Sequence, residues 1–125
     1  MKLPCPHGRQ ARTTVGIEAC AAMQERRLEH RINPLVVAIF GRMAGVDART
    51  PRGGPFDFSF RGSARVRFIR AERSWVAYRA ATCSSRADAM AGGSGSLDLL
   101  ATCFVALDRR HLADLAAFAA QLGPS

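Results

Sequence analysis

Four cysteines and three histidines are the side chains of this 125-residue chain best suited to chemistry, and their spacing excludes most of it. Cys5, Cys20, Cys83 and Cys103 form an even set in a short chain. Such a set reads as two disulfides in an exported protein and as free thiols or a metal site in a cytosolic one, with three pairings open to it. No Cys-x-x-Cys occurs, so the usual zinc spacing is missing. Catalysis by histidine needs a positioned partner. His7 falls in a proline-bearing arm, His30 lies among arginines on an expected surface, and His111 follows closely on Asp108, so each is expected to be solvated. No phosphate loop, zinc-protease helix or nucleophile elbow is present. The ten acids are scattered, and Asp98, Asp108 and Asp114 suit helix caps and faces. The chain is not read as an enzyme, and no metal or cofactor is expected.

The elements that must position these residues are helical. Alanine and leucine dominate the second half, and Val, Ile and Thr nowhere cluster in the alternating runs a sheet requires. One domain with one core fits this length. The expected architecture is all-α: a small bundle of three to five helices over residues 13–123, preceded by an irregular arm at 1–12. Thr13 or Thr14 can cap a first helix with a stripe through Ile17, Cys20, Ala21, Gln24, Leu28 and Ile32. Asn33-Pro34 is expected to kink that helix or restart it, because proline removes a helical hydrogen bond. Leu35 to Met43 then reads as a short apolar helix buried on most sides. A long irregular loop is expected at about 45–62, where Phe56, Phe58 and Phe60 alternate with polar residues and line one side of an extended segment. That edge either covers the core or meets a partner.

Ser63 caps the expected central helix, which ends near Met90 before Gly92 and Gly93. A third helix follows Ser94 or Ser96, and Asp108 is expected to cap a fourth through Leu112, Leu115 and Phe118. On a helical wheel Phe68, Ile69, Glu72, Trp75, Val76, Arg79 and Cys83 share one face of the central helix, taken as its core face. Buried charges need partners. Glu72 and Arg79 are two turns apart, so each is expected to meet backbone or side chains of a neighbouring helix, the carbonyls at a helix end being one acceptor open to Arg79.

The segment Ala71-Glu72-Arg73-Ser74-Trp75-Val76-Ala77-Tyr78-Arg79-Ala80, then Cys83, Gly92-Gly93-Ser94, Cys103, Leu107, Asp108 and Leu115, resembles the LprI-type lysozyme inhibitor domain of bacterial envelope proteins. That family reads Ala-Gln-Arg-Ala-Trp-(aliphatic)-Ala-(Phe/Tyr)-Arg-Asp-x-x-Cys, then Gly-Gly-Ser, a further cysteine and Leu-Thr-x-x-Arg-x-x-x-Leu. Glu72 stands where the family has glutamine, and Ala80 where it has aspartate. An earlier family phrase, Asp-x-x-Leu-Asn-x-x-Tyr, maps onto Glu29 to Val36 with only Asn33 unchanged. The resemblance implies a helical hairpin closed by Cys83–Cys103, with Cys5 and Cys20 as the cysteines of the first half and therefore a second pair. It implies structural roles for Glu72, Trp75, Tyr78, Arg79, Gly92, Gly93 and Asp108. It also implies an exported, periplasmic or secreted, non-enzymatic protein that occludes a lysozyme. Export is expected from this resemblance and the cysteines, since the chain opens without the apolar run of a signal peptide and holds no membrane-length apolar stretch.

Charge complicates the partner. The formal charge is +8, nearly all of it from arginine. A basic lysozyme would be repelled, whereas an acidic muramidase or an anionic envelope polymer would be attracted. The alternative reading is a basic helical module for nucleic acid or anionic surfaces, carried by Arg65, Arg67 and Arg70 on the outer side of the central helix. No named nucleic-acid motif supports it. Phe56, Phe58 and Phe60 are the remaining candidate contacts, and the oligomeric state is left open.

Overall fold

The structure, a computed structural model, describes Cys5, residues 14–55, Asp57, residues 62–90, Gly93 and residues 95–123. It is all-helical, with α1 at Thr14–Arg49, α2 at Ala64–Asp88 and α3 at Gly95–Gln121, and no strand among the described residues. Ala21 and Leu28 of α1 pack with Val105 and Leu112 of α3, and further on Ile39 and Met43 pack with Leu115. Positions rise together, so α1 and α3 run parallel. Phe68, near the start of α2, joins the cluster of Ile39 and Leu115, while Cys83, near its end, joins Cys103 and Leu107. The bundle is therefore up-down-up.

An expected restart and an expected early helix end are absent. Pro34 lies inside α1, and Asn33 and Pro34 are both solvent-exposed, where water can satisfy the carbonyl that proline leaves without a donor. The helix then continues past Gly45 to Arg49, so the irregular connection starts near Thr50 rather than at 45. There the Thr50 amide and hydroxyl both donate to the Val46 carbonyl, at 3.0 and 2.8 Å, and Pro51 follows. Leu35–Met43 is likewise not buried on most sides: Ile39 and Met43 are, but Val37 is 71% exposed. Asp108 caps nothing. It sits in mid-helix, 2% exposed, because a partner on α2 makes a buried carboxylate tolerable where local preference alone favours a helix start. Val76 also departs from the expected core face, at 51% exposure. The inward residues Phe68, Glu72, Trp75, Arg79 and Cys83 recur at steps of three or four, a narrower seam than the wheel implied.

Helix ends are tied to other helices. Ser63 caps α2 through its hydroxyl, which accepts from Val66 N at 3.3 Å. Asp47, near the end of α1, adds a second cap: Oδ1 accepts from Ala64 N at 2.6 Å and Oδ2 from Arg65 N at 3.3 Å. Burial opposes ionisation of Asp47, but these amides, the Ser63 hydroxyl and the Arg65 charge outweigh it and hold its pKa below the ordinary value. At the other end of α3, Arg42 Nη2 donates to the Leu122 carbonyl at 2.7 Å, and Gly123 follows at φ 73°, the left-handed stop that suits glycine. Guanidinium donation to a helix end thus exists in this fold, made by Arg42 rather than Arg79.

Candidate functional site

The cysteines form two disulfides. Cys83 on α2 and Cys103 on α3 are bonded with Cα atoms 5.6 Å apart, and Cys5 is bonded to Cys20 at the start of α1 with Cα atoms 4.7 Å apart. Arg86 Nη1 lies 3.9 Å from the Cys103 sulfur, and Gln24 Nε2 lies 3.8 Å from that of Cys5. Beside Cys103, Leu107 is buried, and Trp75, Leu100 and Phe104 pack around the bridge.

One helical step inward from this bridge, the three helices converge on a charged cluster. Arg79 Nη1 of α2 donates to Asp108 Oδ2 of α3 at 2.6 Å and stands 3.7 Å from Glu25 Oε2 of α1. Its guanidinium carbon lies 5.2 Å from the centroid of the Phe104 ring, a cation–π contact. Burial, reinforced by hydrogen bonding and charge from Asp108, raises the pKa of Glu25 to about 8 against the opposing pull of Arg79. Glu25 therefore keeps its proton at neutral pH beside the Arg79–Asp108 contact. A second polar contact lies a turn or two further along. His111 Nε2 is 2.9 Å from Glu72 Oε2, and the His111 ring stacks on Trp75 with centroids 4.4 Å apart and planes 15° from parallel. His111 is thus packed between helices rather than solvated as expected, with its side chain 12% exposed.

In both clusters hydrogen bonds and ring contacts join side chains of neighbouring helices. They connect Glu72 and Arg79, the charged residues on the inner face of α2, to neighbouring helices. Glu25 and His111 were missed, although the pattern held a signal: Glu25 continues the α1 stripe between Ala21 and Leu28, and His111 that of α3 between Leu107 and Leu115. A polar residue on an apolar stripe demands a partner.

The outer side of α2 is more open. Tyr78 is 54% exposed, with its ring 5.8 Å from that of Trp75. Arg65 lies 3.9 Å from Asp47 across a hollow of about 500 Å³ that Arg52, Asp57, Ser63 and Arg67 also line. Arg67 and Arg70 each have an interaction partner, which weakens the case for a free row of cations along phosphates. Phe56, Phe58, Phe60 and Gly92 lie outside the described residues, whereas Gly93 donates its amide to the Met90 carbonyl at 3.0 Å. Among the described residues there is no cluster of three His, Cys, Asp or Glu side chains able to hold a metal, and no helix long and apolar enough to cross a membrane.

A family model described as "Lysozyme inhibitor LprI" matches residues 5–115, a span that takes in all four cysteines and both polar clusters. No curated protein and no solved structure matches.

Proposed function

The chain belongs to the lysozyme inhibitor LprI family, and from that membership we propose that it is a non-enzymatic protein of the bacterial envelope, exported to the periplasm or beyond. There it acts by occluding a lysozyme. The observation that carries this reading is the extent of the family match, which runs through the cysteines of both bridges and the Trp75–Arg79 segment. Two disulfides in so short a chain support an oxidising compartment.

Charge narrows the target. At +8, the protein is drawn to an acidic muramidase and repelled by a basic one, and the same excess of arginine favours anionic envelope polymers as a further ligand. Contacts are assigned to the outer side of α2, where exposed Tyr78 supplies an aromatic anchor and Arg65, Arg67 and Arg70 a cationic rim, together with Phe56, Phe58 and Phe60. The test is lysis of cell walls by one acidic and one basic lysozyme, each at low and high salt, with the protein added. The expected result is inhibition of the acidic enzyme that weakens as salt rises. Tight, salt-independent inhibition of the basic enzyme overturns the charge argument, and inhibition of neither overturns the function.

A further inference from the structure

An up-down-up bundle has two grooves between α1 and α3, and α2 fills one of them. The other is an open trough of about 820 Å³, within the range of small-molecule sites. Its floor is apolar: Leu28 and Leu112 are buried there, and Leu35 lies half-buried between the helices. Arg27, Arg31 and Arg109 also line it, and none is in an ion pair among the described residues.

The arginines are gathered in the half that also holds Gln24. Because α1 and α3 run parallel and Arg42 reaches the Leu122 carbonyl 80 positions on, each α3 residue is level with the α1 residue roughly that far before it. Arg109 therefore stands beside the turn that carries Arg27 and Arg31. Pro34, Leu35, Ala113 and Ala116 line the other end and carry no charge. The whole lined stretch of α1, from Gln24 to Leu35, is roughly 16 Å long at 1.5 Å per residue. A trough cationic at one end and apolar at the other does not match an acidic helix, whose charges recur along its length. It matches a molecule with an anionic head and one apolar tail.

We propose that the α1/α3 trough binds a single-chain lipid with an anionic head, the head held by Arg27, Arg31 and Arg109 and the chain laid over Leu112 and Leu35 toward Ala116. The site is on the far side of α1 and α3 from α2, and the proposal does not rest on lysozyme inhibition.

The experiment is calorimetric titration of the full, oxidised chain with dodecyl phosphate kept below its micelle concentration. The comparison ligands are dodecyl maltoside, inorganic phosphate, an acidic amphipathic peptide and phosphatidylglycerol vesicles. Saturable one-to-one binding of dodecyl phosphate is expected, at least tenfold tighter than either dodecyl maltoside or inorganic phosphate. Arg31→Glu with Arg109→Glu should weaken it at least tenfold, and so should Ala116→Trp, which fills the apolar end from an exposed position. Arg73→Glu, a charge reversal on α2 outside the trough, should leave it unchanged, and circular dichroism checks that each variant keeps its helices. Equal binding of dodecyl maltoside, indifference to the double charge reversal, tighter binding of the peptide, or binding confined to vesicles would each overturn the proposal.

Discussion

Arg79 Nη1 and Asp108 Oδ2 stand 2.6 Å apart across the α2–α3 interface, with Glu25 of α1 3.7 Å from the same nitrogen. One guanidinium therefore touches both other helices. Arg79→Ala would leave Asp108, 2% exposed, without its counter-charge, and removing one partner of a buried pair costs about 3 kcal/mol or more. Arg79→Leu combined with Asp108→Leu removes both charges and should lose far less. Urea unfolding with the disulfides intact measures both. A double variant as unstable as the single one would show that the pair stabilises the fold beyond the repair of its own burial.

Glu25 makes stability depend on pH in an unusual direction for an acid. Folded Glu25 keeps its proton up to about pH 8, whereas an unfolded glutamate releases it near 4.5. Between those values the native state binds the extra proton, so stability falls as pH rises through the window, by up to about 1.4 kcal/mol per pH unit from this group. Glu25→Gln should flatten that slope and raise the melting temperature above pH 8. Melting curves from pH 4 to 9 decide it, and parallel curves for the two proteins would refute the assignment.

Asp47 acts in the opposite sense. Its folded pKa lies below the ordinary 3.8, so its capping of α2 is fully present above that value and lost as pH falls through the folded pKa. Asp47→Ala should melt at a lower temperature than the parent at pH 7, and the gap should close near pH 2. A gap of equal size at both pH values would mean that the carboxylate charge does not matter.

Cys83–Cys103 closes a loop of 20 residues between helices that already pack together. Replacing both by serine should destabilise the fold by about 3 kcal/mol, the chain-entropy value for a loop of this length. Helix content at room temperature should persist, because the lower cluster of Ile39, Met43, Phe68 and Leu115 is far from the bridge. Far-ultraviolet dichroism and chemical unfolding together test this, and complete loss of helix in the serine variant would contradict it.

Much of this was legible before any coordinates. Ser63 announced the start of α2, and Glu72 and Arg79 on an apolar face announced cross-helix partners. What failed was local preference read without tertiary context. Asp108 resembles a cap because short acids favour caps, yet nothing between Leu97 and Leu112 breaks a helix, and Arg79 supplies the partner that lets it remain inside. Pro34 resembles a break, but on the solvent side its missing hydrogen bond is tolerated. The basic trough was out of reach for another reason: Arg27 and Arg31 belong to α1 and Arg109 to α3, and no pattern within one helix reveals that they share a level.

The Asp47 clamp has a consequence for the connection between α1 and α2. The close of α1 grips the opening amides of α2 directly, so the seating of the second helix rests in part on a contact made outside the segment that joins them. Changes between Thr50 and Gly62 should therefore disturb the bundle less than loss of Asp47 or of the Ser63 cap.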